Sequence, residues 1–179
     1  SNDITKTNKL GGILTKTANS YVDIRTSGSV ATYVIPFQAS NTDTIPMVYK
    51  IDVATSSGHI SFNSFEVNHD NTPLPTPTYI GGALSDTALH GIDRFWKIVP
   101  YSTFPQSTVT FAYSPKDTIG NNIVENELQV KRYNTDLNDW NDKSYGVLVS
   151  NNKVTVPLTS SSDFYNVWNL YYSPSVLPI

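Results

Sequence analysis

The sequence predicts an all-β fold: an antiparallel two-sheet β-sandwich, immunoglobulin-like or jelly-roll-like, of roughly ten to twelve strands. Three observations carry this expectation. Apolar residues recur at every second position along most of the chain, which is the period of a half-buried strand. Asn, Ser and Thr number 17, 20 and 20 among 179 residues, Asp outnumbers Glu 12 to 3, and Tyr and Phe together number 18. That vocabulary favours pleated surfaces and turns over helix faces. Clusters of Gly, Asn, Ser and Asp separate the alternating runs at short intervals, as turns do.

The elements follow in chain order. Residues 1–28 are less regular and form a pair of strands, over 12–17 and 21–25, or an arm pairing outside the sandwich; residues 29–179 form the sandwich itself, with no linker between the two. Tyr33, Ile35 and Phe37 share one strand face, as do Met47, Tyr49, Ile51 and Val53 on the next strand. Ile60 and Phe62 then fall on even positions and Phe65 and Val67 on odd ones, so a β-bulge near Asn63-Ser64, or a kink between two short strands, is expected. The Pro-rich stretch 70–77 cannot donate regular ladder bonds and reads as a loop, and 83–90 as a short helical turn. Arg94 to Ile98 is nearly continuous and apolar, which predicts a strand covered on both faces with Trp96 in the core. Val109, Phe111 and Tyr113 alternate with Thr108, Thr110 and Ala112, as do Leu128 and Val130 with Gln129 and Lys131, and Val154, Val156 and Leu158 with Lys153, Thr155 and Pro157. Asn151-Asn152 before the last of these is a two-residue hairpin loop, since Asn tolerates positive φ.

Charge and composition exclude several functions. The net charge is −3, so no basic field collects nucleic acid. There is no cysteine, hence no disulfide framework and no thiolate metal site. No apolar run approaches the ~18 residues of a membrane-spanning helix. Neither a Gly-x-Ser-x-Gly elbow nor a phosphate-binding Gly loop occurs, and His59, His69 and His90 lack ligand spacing. The expectation is a chain without cofactor or catalytic residues.

Four patterns occur in a familiar order: Gly11-Gly12-Ile13-Leu14-Thr15-Lys16-Thr17 with Tyr33-Val34-Ile35-Pro36-Phe37; Ile92-Asp93-Arg94-Phe95-Trp96-Lys97-Ile98; Val109-Thr110-Phe111-Ala112-Tyr113 with Glu127 to Tyr133; and the tail Leu177-Pro178-Ile179. This order resembles a β-sandwich module near the C-terminus of large Bacteroidota surface and secreted proteins. Many of those are exported by the type IX secretion pathway and include adhesins and surface fibres. The resemblance implies an extracellular, cell-surface location and a structural or adhesive role, with self-association, neighbouring modules or a surface polysaccharide as partners. A carbohydrate-binding accessory module of a secreted hydrolase is the alternative.

Individual residues sharpen these expectations. Asp136, Asn138, Asp139, Asn141 and Asp142 alternate oxygen ligands as a Ca²⁺ loop does, although Asx turns in a hairpin loop explain them equally. Trp140, flanked by Asn and Asp, is a candidate ring for stacking on sugar or a residue packed at a sheet edge. Asp93 and Arg94 read as a strand-end ion pair. Asp-Thr followed by a small or aliphatic residue occurs at Thr44, Thr87 and Thr118, a pattern resembling the O-glycosylation signal of exported Bacteroidota proteins. Ile13 and Leu14 are candidates for a strand donated to a neighbouring subunit's open edge, which makes a filament, or for a segment that folds back and leaves a closed monomeric module.

Overall fold

A computed structural model describes residues 12–15, 18–68, 79–80, 83–84, 91–101, 105–121, 123–125, 128–136, 140, 149–164 and 167–172. Two antiparallel five-stranded sheets form the β-sandwich. The first has the order β1 (Val22–Thr26), β6 (Gly58–Glu66), β9 (Arg94–Pro100), β14 (Val167–Tyr172), β11 (Leu128–Arg132). The second has the order β12 (Val149–Ser150), β13 (Lys153–Leu158), β10 (Ser107–Ala112), β5 (Met47–Ile51), β2 (Ala31–Ile35). Two small ribbons, β3 (Gln38–Ser40) with β4 (Asp43–Thr44) and β7 (Tyr79–Ile80) with β8 (Ala83–Leu84), complete the described strands. Ala83-Leu84 is therefore extended, not the start of a helical turn; the Pro-rich stretch lies outside the described residues.

The alternation read from the sequence sets the inner faces. Tyr33, Ile35, Met47, Tyr49, Ile51, Val109, Phe111, Val154, Val156 and Leu158 are buried against Ile24, Ile60, Phe62, Trp96, Ile98, Leu128, Val130, Trp168 and Leu170 of the facing sheet. Phe111 sits at the centre, 4.7 Å from the Trp96 ring and 5.9 Å from that of Trp168. Val53 lies beyond the end of β5 and is exposed, so the run shares its inner face only as far as Ile51. Asn151 and Asn152 both adopt positive φ, +52° and +59°, and close the β12–β13 hairpin in the twist that right-handed strands require.

The expected bulge in β6 is absent. Its register with β9 runs unbroken from Ile60 opposite Pro100 to Glu66 opposite Arg94. Phe65 and Val67 reach apolar surroundings without any slip, because the outer face of this sheet is itself covered. They join Phe95, Tyr133, Trp140 and Tyr171 in a second cluster on that face. A strand packed on both sides has no need of a single apolar face. Lys131, expected on a solvated side, is buried for the same reason.

The N-terminal region divides. Val22–Thr26 is β1, an edge strand fully registered on β6 from Val22 opposite Phe62 to Thr26 opposite Gly58. Before it, Ile13 makes a parallel bridge with Phe37 of its own chain, so the segment is folded back onto its own sandwich.

Candidate functional site

Among the described residues, a polar cluster lies at one end of the sandwich, where β9 begins. Arg94 follows the β9 pleat inward, two residues before Trp96, and is 2% exposed. Its Nε donates to Asp117 Oδ2 at 2.6 Å and its Nη2 to Oδ1 at 3.2 Å. Asp117 belongs to the 3-10 turn Pro115–Thr118, which Ser114 opens with a capping box: the Ser114 N–H donates to Asp117 Oδ2 at 2.8 Å, and Ser114 Oγ accepts from the Lys116 N–H. Lys116 Nζ then donates to Glu66 at 2.7 Å and to the Ala39 carbonyl at 3.3 Å. Ser114 Oγ also donates to Asp43, which ties the β3–β4 ribbon to the same corner.

Asp93 is not Arg94's partner. Neighbours on a strand point to opposite faces, and Asp93 instead accepts from Asn121 Nδ2 at 3.1 Å. Burial pushes the Asp117 carboxyl above its ordinary pKa, while Arg94 and the Ser114 N–H pull it down. Both of its oxygens already accept hydrogen bonds, so the group works as a clamp between β9 and the turn. Sequence reasoning missed the clamp because its partners lie 23 residues apart; the signal was the Ser114-x-x-Asp117 spacing of a capping box.

Beside this corner lies a depression of about 250 Å³ whose walls include Leu14, Thr15, Gln38, Ser64, Glu66 and Arg94. The N-terminal segment forms one wall. Ile13 N–H donates to the Pro36 carbonyl at 2.7 Å, and Gln38 N–H donates to the Ile13 carbonyl at 2.9 Å. Ile13 packs partly buried on the main core, and Leu14 points outward, 47% exposed. Thr15 Oγ1 donates to the Ser64 carbonyl. A Cβ on Gly12 would fall 1.9 Å from Gln38 Cδ, so a larger residue here would have to displace the Gln38 side chain.

The remaining candidates are dispersed. Trp140 has no exposed surface and sits between Tyr133 and Tyr171, at 5.3 and 5.5 Å between centroids. A ring enclosed in this way cannot stack on a sugar, which corrects the expectation of a ligand platform at Trp140. In the acidic loop, the Asp136 N–H donates to Asn134 Oδ1 at 2.9 Å in an Asx turn; Asn138, Asp139, Asn141 and Asp142 lie outside the described residues. Among the described residues no three His, Asp or Glu side chains are grouped to hold a metal ion. Thr44 is exposed, and Thr118, partly exposed, donates from Oγ1 to the Pro115 carbonyl at 2.9 Å. Both follow an aspartate turned toward the Ser114 corner. Thr87, His69 and His90 lie outside the described residues.

Comparison with protein-family models, with curated proteins and with solved structures finds no match. Among the described residues no helix is long and apolar enough to cross a membrane.

Proposed function

We propose that this chain is a non-enzymatic extracellular module with a structural or adhesive role, a unit of a large cell-surface protein or a subunit of a surface fibre joined by β-strand pairing. The observation that carries the reading is the seat of Ile13. It lies beside Phe37, just past β2, and β2 is the last strand of its sheet. Two backbone hydrogen bonds and one partly buried side chain hold it. Backbone bonds of this kind are indifferent to which chain supplies the strand, and edge strands invite such a partner. The Gly12-Ile13 segment of a second copy offers the same two bonds, and the exchange repeats head to tail.

The resemblance to Bacteroidota surface modules supports the extracellular location and export by the type IX pathway. The accessibility of Thr44 and Thr118 supports O-glycosylation there; Thr87 shares the pattern. The carbohydrate-binding accessory reading loses its ring at Trp140.

Deleting residues 1–16 tests the reading. The intact chain at high concentration forms linear assemblies in electron micrographs, and the deletion abolishes them while the circular dichroism of the sandwich persists. An intact chain that stays monodisperse refutes strand exchange. Intact-mass spectrometry of protein from its own host reads the glycans, and a mass equal to the bare sequence refutes them.

A further inference from the structure

The outer face of the first sheet is covered at one end and open at the other. At the covered end, Phe95, Trp140 and Tyr171 are buried. At the open end, Tyr101 is 62% exposed. The pleat explains which residues gather there. Asp23 and Arg25 alternate with the inward Val22 and Ile24 on β1, and they face Ser61 and His59 on β6. The Tyr101 N–H donates to the His59 carbonyl at 3.0 Å, which extends the β6–β9 pairing by one rung and sets Tyr101 beside His59.

We propose that this open end is a binding site for a neutral polysaccharide, with Tyr101 and His59 as the stacking platform and Asp23 and Arg25 as hydroxyl-binding groups. The His59 and Tyr101 rings are stacked, 4.8 Å apart and 23° from parallel. Such a pair is held in place before a ligand arrives, which reduces the ordering that binding costs. Flat rings suit the C–H face of a pyranose, and phenols supply donors at its rim.

The polar groups fit the same ligand. Asp23 accepts from Ser61 Oγ and lies 3.7 Å from His59 Nε2. Arg25 and His59 line an open depression of about 510 Å³ with Thr26, Ser57 and Gly58. A carboxylate and a guanidinium each make paired hydrogen bonds with planar geometry, the pattern that vicinal hydroxyls present. Asp23 and Arg25 carry opposite charges and the chain's net charge is −3, so there is no cationic field to favour phosphate or uronate. The depression is open to solvent, which suits a chain lying across it more than an enclosed small molecule.

This inference rests on the adhesive part of the function proposed above and gives it a ligand class. Affinity electrophoresis of the full chain through gels containing barley β-glucan, xyloglucan, galactomannan or arabinoxylan tests it, with titration calorimetry on any polysaccharide that retards it. At least one retards the wild-type chain. Tyr101→Ala and His59→Ala each weaken that binding about tenfold or more, on the scale of one lost aromatic contact. Tyr101→Phe keeps the ring face and most of the affinity. Unchanged circular dichroism in each variant separates lost binding from lost fold. Retardation by none of the four overturns the proposal, as does binding that survives Tyr101→Ala. Binding confined to polygalacturonate or heparin and lost in salt also overturns it, in favour of an anion site. The deletion of residues 1–16 leaves this face intact, so failure of strand exchange and failure of glycan binding are read separately.

Discussion

Removing the Asp117 carboxylate is the most discriminating perturbation of the fold. Asp117→Ala leaves Arg94, 2% exposed, with a guanidinium that has lost both bonds to its carboxylate and keeps Ser64 Oγ at 3.3 Å. Breaking a buried pair from one side costs about 3–5 kcal/mol, because the remaining charge is both buried and uncompensated. Two local features place this case. Glu66 lies 3.8 Å from Arg94 Nη2 and offers a substitute charge, though it is half exposed and already engaged by Lys116. Against that relief, the same substitution removes the acceptor for the Ser114 N–H and with it the capping box, a loss of about 1 kcal/mol. The two nearly offset, and the expected loss is about 3–4 kcal/mol. For a domain of this size each kcal/mol moves Tm by about 2–4 °C, so calorimetry should read a drop of about 6–16 °C. Asp117→Asn keeps one acceptor oxygen and falls between wild type and Asp117→Ala. The double variant Arg94→Met/Asp117→Leu removes both charges and should recover most of the loss. A drop below about 1 kcal/mol for Asp117→Ala, or a double variant as unstable as the single, refutes the argument that an uncompensated guanidinium dominates.

Further outcomes follow from other parts of the fold. Trp96→Ala, at a ring with no exposed surface packed on Phe111, should cost about 3–5 kcal/mol in urea denaturation; a loss under about 1 kcal/mol contradicts its place at the core. Asn152→Ala should cost about 1–2 kcal/mol, because its φ of +59° is strained for a residue with a Cβ, whereas Asn152→Gly should match or exceed wild-type stability. Asp52 accepts from Lys50 and from Thr108, which hold its carboxyl below the ordinary carboxylate range. Its folded pKa is thus below its unfolded one, so its contribution is complete above about pH 4 and fades as pH falls through the folded value. The urea midpoint of Asp52→Asn should therefore fall short of wild type at pH 7 and converge with it near pH 2.

Period-two alternation was enough to name the inner faces. Residues two apart on a strand share a side, so Tyr33 and Ile35, Met47 to Ile51, and Val154 to Leu158 announce a core whatever lies opposite them. Asn151-Asn152 announced its hairpin because few residues other than Gly accept positive φ at two successive positions. Alternation is silent about what covers the other side. The even-to-odd switch between Phe62 and Phe65 looked like a bulge, yet it reflects two cores on the two faces of one regular strand. Trp140 looked like a surface ring because its sequence neighbours are polar; its spatial neighbours, Tyr133 and Tyr171, come from the strand end before it and from the last strand. The Arg94–Asp117 clamp and the His59–Tyr101 platform depend likewise on segments far apart in the chain and adjacent in the fold. Local chemistry determined which side chains turn inward; only the order in which the strands lie side by side decided which of them meet.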